Sequence, residues 1–273
     1  MSESSSPSAV RFEHVSLHFE DTPALDDICL DLAEGETCVI LGAAGSGKTM
    51  LLKTALGLVT PDSGRVYMFG REITGLREAE LFEIRAQAGV LFQEGGLFDS
   101  MTIEENVAYP LVNQIREQLE PSEVRRRVEE ALRFVELEHT LEKFPSELSG
   151  GMRRRVGIAR AVVSEPPLLL YDSPTAGLDP ITAYTIIALI IKERSLRNTT
   201  TLIVTHRYQD GAWLGDFGYN PKSGRLESAR NGGHGPVSRT KFIVLREGRL
   251  VFEGSRGELE DSRDPYIFKF VKQ

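Results

Sequence analysis

Residues 42–49 constrain what this chain can fold into more than any other stretch. They read Gly-Ala-Ala-Gly-Ser-Gly-Lys-Thr, after an apolar β-prone run and before a run of good helix formers. A strand, a glycine-rich turn and a helix together let backbone N–H groups close around phosphate oxygens at a helix N-terminus. In such a loop Lys48 reaches the β- and γ-phosphates, and the Thr49 hydroxyl binds Mg²⁺. The alternative is a glycine-rich turn that carries the motif by chance. The predicted phosphate-binding residues are Gly42, Ala43, Ala44, Gly45, Ser46, Gly47, Lys48 and Thr49.

Length and composition limit the class of protein. The chain has 273 residues, 41% of them apolar and 26% charged, which is ordinary for a globular domain. A net charge of −8 argues against a dedicated nucleic-acid binder, so no nucleic-acid partner is expected. Cys29 and Cys38 lie in apolar, strand-like surroundings and are predicted to be buried thiols in a reducing cytosol. No apolar run approaches the roughly 20 residues of a membrane-spanning helix. The serine-rich residues 1–9 are predicted to be a disordered tail.

The hydrophobic pattern predicts an α/β fold. Two alternating strands, at 10–19 and 25–32, precede the loop strand and indicate an antiparallel β-subdomain. Residues 94–163 have a helical pattern, and buried-looking strands follow at 166–172 and 200–205. We therefore predict one domain over residues 10–273. It combines a P-loop core, in which helices flank a parallel sheet, with the antiparallel β-subdomain and an inserted α-helical subdomain at about 94–163.

A second glycine-containing helix start narrows the class. Residues 148–153 read Leu-Ser-Gly-Gly-Met-Arg, so the Ser149 hydroxyl and the N–H groups of Gly150 and Gly151 form another anion cradle at a helix N-terminus. This stretch resembles the signature motif of ATP-binding-cassette (ABC) ATPases. In that family the cradle completes the site of a partner subunit. The resemblance therefore implies that two subunits, most simply two copies of this chain, sandwich two ATP molecules head to tail.

The remaining motifs follow in the family order, and their roles are those that the resemblance implies. Gln93 is similar to the Q-loop glutamine, which contacts Mg²⁺ and water. Asp172 ends a strand that resembles Walker B and would hold Mg²⁺ through water. Asp179 lies in a stretch similar to the D-loop, and His206 resembles the switch histidine that contacts the γ-phosphate. Phe19 takes the place of the aromatic residue that stacks on the base, although an aromatic at a strand end is also often simply packed.

Residues 96–111 indicate a subfamily. They are similar to the ATPases of lipid-asymmetry (Mla) importers and related systems that work with MCE-type lipid-binding proteins. Other ABC importers and the cell-division ATPases share much of this pattern. The resemblance implies an integral membrane permease as partner, lipid transport, and a cytoplasmic position on the inner face of the membrane.

Position 173 departs from the family pattern. The family has Asp-Glu-Pro where this chain has Asp172-Ser173-Pro174. A serine hydroxyl holds water but cannot take its proton near neutral pH, so the expected general base is missing and slow hydrolysis is predicted. Three explanations are open. The chain could be a natural variant in which His206 and Gln93 position the water, it could pair with a fully equipped ATPase subunit, or the glutamate could have been replaced deliberately to trap bound ATP.

Two other functions stay as alternatives to a transporter ATPase. The first is an ATP-binding switch with little hydrolysis, which the missing base would explain. A non-transport ABC ATPase would be expected to carry two cassettes, a coiled-coil insertion or basic tails, and none is visible.

The stretch at about 209–240 is the second departure. It is about 20 residues longer than relatives need by the usual length of loops. One interpretation is a solvated hairpin or a disordered loop, since long surface insertions destabilise little. The other is a regulatory or partner contact around Trp213 and Tyr219.

Overall fold

The computed structural model of the chain describes residues 7–20, 22–93, 95–114, 119–228 and 239–271. These residues form two compact units along the chain. Unit 1 combines residues 1–81 with residues 190–273, and unit 2 is the continuous stretch 82–189.

Most secondary structure of unit 1 belongs to two sheets. Before unit 2 it contains β1 (Ser8–Phe19), β2 (Thr22–Ala33), β3 (Thr37–Leu41), α1 (Lys48–Ala55), β4 (Ser63–Met68) and β5 (Arg71–Glu72). The division points of the chain fall within α2 (Glu78–Arg85) and α6 (Pro180–Arg197). Unit 2 contains β6 (Ala88–Leu91), α3 (Ile103–Asn113), α4 (Pro121–Phe134), α5 (Gly150–Val162) and β7 (Leu168–Asp172). After unit 2 the chain continues with β8 (Thr200–Thr205), α7 (Tyr208–Asp216), β9 (Phe217–Asn220), β10 (Arg225–Ser228), β11 (Thr240–Arg246), β12 (Arg249–Gly254), α8 (Arg256–Glu260) and α9 (Pro265–Val271).

The antiparallel sheet of unit 1 has the order β2-β1-β4-β5. Residues along β2 alternate between buried and exposed, as expected for a strand with one face on the core. The predicted antiparallel layer is therefore present. The predicted disordered tail is too long, because β1 already begins at Ser8, which lies opposite Ala33 of β2. Residues 1–6 of that tail lie outside the described residues.

The second sheet of unit 1 has the order β12-β11-β3-β8. Strand β3 pairs in parallel with both β8 and β11, and every residue of β3 and β8 is buried. Both strands are rich in apolar and β-branched residues because they are covered on both faces. Strand β12 returns antiparallel to β11 and forms a hairpin with it.

Helices dominate unit 2. Within the described residues, β6 and β7 pair in parallel, and the chain between them holds α3, α4 and α5. Thr102 and Glu105 form a reciprocal capping box at the start of α3, and Pro121 occupies the first turn of α4. In the part of the chain that the structure describes, the helical pattern predicted for 94–163 thus corresponds to three α-helices, with two short 3₁₀ helices (Glu138–Thr140 and Pro145–Glu147) between α4 and α5.

One cysteine lies where the sequence predicts it and the other does not. Cys38 is buried in β3, and this desolvation raises the pKa of its thiol to about 12. Cys29, predicted to be buried, is exposed. Alternation along β2 buries Ile28 and Leu30 and turns Cys29 to the outer face with its acidic neighbours.

The stretch after β8 contains a helix and a hairpin in the described residues. It begins with α7 and continues as the antiparallel hairpin of β9 and β10, while residues 229–238 lie outside the described residues. The buried guanidinium of Arg194 donates to the carbonyl oxygens of Leu214 and Phe217, each at 2.9 Å. Tyr219 is also anchored to α6, because its backbone N–H donates to the Ser195 hydroxyl at 3.0 Å. The hairpin of the first interpretation is therefore present at 217–228, and these hydrogen bonds tie its start to α6.

The described residues include no helix of the length and apolar character needed to cross a bilayer.

Candidate nucleotide site

The loop between β3 and α1 has the backbone of an anion cradle. Gly45 and Gly47 have φ values of 78° and 101°, a region that L side chains rarely adopt. A Cβ on Gly47 would also lie 2.2 Å from the carbonyl oxygen of Ala24. Gly47 is the N-cap of α1, with no side-chain cap and no acidic residue in the first turn. Without a side chain as cap, this helix start suits an anionic ligand, which the helix dipole also favours.

The Lys48 side chain lies folded along this loop. Its ammonium group donates to the carbonyl oxygens of Gly42 at 2.9 Å and Ala43 at 2.7 Å, and to the Ser46 hydroxyl at 3.3 Å. The residue is only 8% exposed. Gly42 allows this packing, since a Cβ there would lie 2.4 Å from Ser46 Oγ. Thr49 follows in the first turn of α1 and is half-buried, while Ala43, Ala44 and Gly45 are exposed. The loop thus holds one buried positive charge beneath an exposed rim of backbone.

Two further predicted residues of unit 1 belong to the same neighbourhood. Leu41 of β3 lies opposite Thr205 of β8, so His206, the first residue after β8, emerges at the same sheet edge as the loop. His206 is exposed. Phe19 pairs with Thr22 at the tip of the β1–β2 hairpin. Thr22 lies two residues before Ala24, whose carbonyl oxygen approaches Gly47 of the loop. The Phe19 residue is 52% exposed. An aromatic face at this position is open to a ligand and is not packed into the core.

Unit 2 places the acidic strand end beside the glutamine. Asp172 ends β7 and is 3% exposed. Leu91 of β6 lies opposite Tyr171 of β7, so Gln93 follows β6 at the same sheet edge as Asp172. The Ser173 hydroxyl donates to a carboxylate oxygen of Asp172 at 3.2 Å. A buried carboxylate, an amide and a hydroxyl therefore lie at one edge, without a second carboxylate at position 173.

The backbone at position 173 is fixed by an arginine that the sequence did not single out. Arg154 of α5 is 5% exposed and donates to the carbonyl oxygens of Ser173 and Ala176, both at 3.0 Å. Ser173 has a φ of 48°, in the left-handed region that non-glycine residues seldom adopt. Arg154 thus anchors the segment that leads from β7 to Asp179. Its only sequence signal is a cluster of three arginines, 153–155, in an otherwise amphipathic helix.

The residues of the second predicted anion cradle lie at the start of α5. Ser149 is its N-cap, and the hydroxyl accepts from the N–H of Met152 at 3.3 Å. Gly150 faces open space, whereas a Cβ on Gly151 would lie 2.6 Å from the Thr182 methyl group. Thr182 in turn donates through its hydroxyl to Asp179 at 2.6 Å. The Thr182 hydrogen bonds lower the pKa of Asp179, so this carboxylate stays charged and holds the start of α6.

A groove in unit 2 gathers several of these parts. Its volume is about 580 Å³. It is lined by Gln93, Gly150, Arg153, Arg154, Gly177 and Leu178, among others. Arg160 of α5 holds the segment after Gln93 by donating to the carbonyl oxygens of Gly95 at 3.1 Å and Gly96 at 2.8 Å. Unit 2 therefore links the glutamine segment, the Ser149 cradle and the segment before Asp179 through α5.

A tyrosine near the end of the chain also contacts the phosphate loop. The Tyr266 hydroxyl accepts from the N–H of Ala43 at 3.1 Å and donates to the carbonyl oxygen of Leu245 at 3.2 Å. The Arg246 guanidinium lies over the Tyr266 ring, 5.2 Å from its centre. Sequence reasoning missed this contact, because no local pattern links residues 223 positions apart.

The sequence profile described as "ABC transporter" matches residues 25–176, which is more than half of the chain. The chain belongs to the ABC transporter family. The family resemblance predicted from the motifs is thereby confirmed. The α/β fold class predicted from the hydrophobic pattern is confirmed by solved ABC cassettes.

Individual members of the ABC family show how far the similarity extends. The chain is 40% identical over 198 residues to the "Probable ribonucleotide transport ATP-binding protein mkl" of Mycobacterium leprae (strain TN), covering 72% of this chain and 56% of that protein. It is 41% identical over 204 residues to the "Methionine import ATP-binding protein MetN" of Rhizobium johnstonii, covering 75% of this chain and 56% of that protein. The chain thus spans about half the length of these relatives.

A solved ABC structure matches over nearly its full length. It is titled "Dimeric structure of a post-hydrolysis state of the ATP-binding cassette MJ0796 bound to ADP and Pi". The TM-score is 0.74 at 31% identity, and the match covers 90% of this chain and 98% of that one. The similarity therefore includes the second half of the chain, beyond residue 176.

Proposed function

We propose that this chain binds ATP with Mg²⁺ at residues 42–49 and is the ATP-hydrolysing subunit of an ABC transporter. Two copies would close head to tail around two ATP molecules and drive an integral membrane permease. The chain would lie on the cytoplasmic face of the membrane as a peripheral protein. The observation that carries the proposal is the loop before α1, where a buried lysine lies folded beside a helix start that has no side-chain cap.

The triphosphate fits this loop for electrostatic reasons. An anion at the N-terminus of α1 gains hydrogen bonds from N–H groups that lack a side-chain cap, and it gains the attraction of the helix dipole. The Lys48 ammonium group now donates to two carbonyl oxygens and a hydroxyl, and rotation of its long side chain would exchange these partners for phosphate oxygens. Phe19 would stack on the base, because its exposed ring lies at the tip of the β1–β2 hairpin.

Oxygen donors for Mg²⁺ are present at the predicted positions. The Thr49 hydroxyl, the Gln93 amide oxygen and the Asp172 carboxylate have the hard-donor chemistry that Mg²⁺ prefers. We propose that Thr49 and Gln93 bind the ion and that Asp172 holds it through water. When bound, Mg²⁺ would offset the negative charge of the β- and γ-phosphates. His206 would contact the γ-phosphate, since it emerges at the same sheet edge as the loop.

The Ser149 cradle has no task at the loop of its own chain in this proposal. Ser149, Gly150 and Gly151 would contact the nucleotide of a second copy, and Asp179 would lie beside that copy's site. The dimeric nucleotide-bound structure of MJ0796 supports this arrangement.

Nucleotide affinity tests the proposal. In Lys48→Ala, we expect the affinity for ATP-Mg²⁺ to fall by at least about tenfold, because a charge-assisted hydrogen bond to phosphate contributes about 1.5–3 kcal/mol. Lys53→Ala is the matched control, because it removes the same charge from the last turn of the same helix. Equilibrium binding by calorimetry gives both affinities. An unchanged affinity in Lys48→Ala would contradict the proposed site.

A second candidate function is an ATP-binding switch with little hydrolysis. Ser173 is the observation that favours it. Its hydroxyl donates to the Asp172 carboxylate and cannot act as a general base toward water. In this candidate, binding of ATP and closure of the dimer would occur while the return to the open state is slow. The hydrolysis rate of the native protein distinguishes the two candidates.

The transported substrate is a separate question. The resemblance of residues 96–111 predicts lipid transport and an MCE-type lipid-binding partner. The names of the two relatives instead give ribonucleotide transport and methionine import for those proteins. In this family the permease, and not the ATP-binding subunit, selects the substrate. Co-purification from membranes, followed by analysis of the partner proteins and of bound lipid, would test the lipid prediction.

A further inference from the structure

Three side chains with metal-binding atoms meet on the outer face of β1 and β2. They are His14, Asp27 and Cys29, and one ligand atom of each lies within 4.8 Å of the others. His14 Nδ1 lies 2.8 Å from an Asp27 carboxylate oxygen and 3.6 Å from the Cys29 sulfur. Nothing in the proposed ATPase function uses this cluster.

The separations suit a tetrahedral metal ion. With Zn–S of about 2.3 Å and Zn–N of about 2.0–2.1 Å, a tetrahedral angle puts sulfur and nitrogen about 3.6 Å apart. The Cys29–His14 distance in the structure has that value. The same geometry needs about 3.4 Å between nitrogen and oxygen, so Asp27 would move by roughly half an ångström. The His14 and Asp27 side chains are 77% and 69% exposed, which allows this adjustment and gives the ion access from solvent.

The backbone defines the position of the cluster. The main-chain N–H of His14 donates to the Cys29 sulfur at 3.4 Å, which holds the sulfur beside the His14 residue. On the other side of β1, Gly64 approaches so closely that a Cβ would lie 2.3 Å from the His14 carbonyl oxygen. The N–H of Asp27 donates to the Ser16 hydroxyl at 3.1 Å. The three ligands therefore project from paired strands and not from a loop.

We propose that His14, Asp27 and Cys29 bind one borderline divalent metal ion of the zinc class. Thiolate, imidazole and carboxylate are the ligands that zinc takes in proteins, and three of them leave a fourth position for water. Mg²⁺ prefers six oxygen donors in octahedral geometry, so the ion that accompanies ATP would not compete for this site.

Cobalt(II) is the probe for this site, because it takes the zinc geometry and gives a thiolate-to-metal absorption band. The experiment uses the full chain without a histidine tag, reduced and in excess Mg²⁺. One equivalent of Co²⁺ should produce the band, and one equivalent of Zn²⁺ should abolish it. Cys29→Ser should lose the band, although the buried Cys38 thiol is still present. His14→Ala should weaken Co²⁺ binding by more than about tenfold.

His139→Ala is the matched control, because it removes an exposed histidine elsewhere and should leave the titration unchanged. Thermal unfolding of each variant without metal separates loss of the site from loss of the fold. Zn²⁺ should also raise the melting temperature of the native chain and not that of Cys29→Ser. The proposal is wrong if no band forms, if Cys29→Ser keeps it, or if excess Mg²⁺ removes it.

Discussion

Replacing Ser173 with glutamate restores the residue that the ABC family has after the Walker B aspartate. The position is well defined: its hydroxyl lies 3.2 Å from the Asp172 carboxylate, and Arg154 holds its carbonyl oxygen. Serine and glutamate both carry a Cβ, so the strain at φ 48° changes little. The substitution therefore mainly adds a base beside the proposed Mg²⁺ and water.

Two opposing effects set the expected size of the change. A general base contributes about 100- to 10,000-fold in rate, which is about 2.7–5.5 kcal/mol of activation free energy. A second carboxylate about 4 Å from Asp172 is repelled by up to about 4 kcal/mol at an effective dielectric constant of 20. Mg²⁺ bound with ATP would offset that repulsion. We therefore expect Ser173→Glu to lower the free energy of unfolding of the nucleotide-free protein and to raise kcat for ATP hydrolysis by at least about 100-fold.

Steady-state phosphate release measures the rate, with Ser173→Gln as the matched control. Glutamine has the size of glutamate but cannot accept the proton of water. It should leave the slow rate of the native protein nearly unchanged. The reasoning is refuted if the native protein hydrolyses ATP briskly and Ser173→Glu adds nothing, or if glutamine accelerates the reaction as much as glutamate.

Three further predictions concern the phosphate loop, the two thiols and the segment that Arg154 anchors. Tyr266→Phe removes the hydroxyl that accepts from the Ala43 N–H, so we expect KM for ATP to rise severalfold, since one hydrogen bond contributes about 0.5–1.5 kcal/mol; an unchanged KM would contradict a positioning role. A thiol reagent should label Cys29 but not Cys38 in the folded protein at pH 8, because burial raises the pKa of the Cys38 thiol to about 12. Mass spectrometry that finds both thiols labelled without denaturant would contradict this. Arg154→Met should lower the free energy of unfolding by about 3 kcal/mol or more, because the carbonyl oxygens of Ser173 and Ala176 lose a charged donor. Urea denaturation measures this free energy, and a decrease of less than about 1 kcal/mol would contradict the anchoring role of Arg154.

Local patterns in the sequence were sufficient for the phosphate loop. The strand, the glycine turn and the helix follow one another within 20 residues, and β3 (Thr37–Leu41) is the apolar run that directly precedes the loop. The exposure of Cys29 was also encoded, since period-two alternation puts it on the face opposite Ile28 and Leu30. Apolar sequence neighbours therefore do not predict burial in a half-buried strand, because they lie on the opposite face.

Other features depend on contacts that no local pattern reveals. Helix α7 contains Gly211 and Gly215, which disfavour a helix. Gly211 is nevertheless required by packing, because a Cβ there would lie 2.8 Å from both Phe242 and Val39. The contact of Tyr266 with the loop likewise joins distant parts of the chain. Tertiary packing therefore determines both the helix α7 and the contact of Tyr266 with the loop.

The most direct measurement for the central proposal is the mass of the protein in solution with and without ATP-Mg²⁺, by light scattering after size-exclusion chromatography. The native chain should be a monomer without nucleotide and a dimer with ATP-Mg²⁺. The dimer should persist for many minutes, because Ser173 supplies no base to end the ATP-bound state. Lys48→Ala should remain a monomer in both conditions. A native chain that neither binds ATP nor dimerises with it, or a Lys48→Ala variant that dimerises equally well, would contradict the proposal.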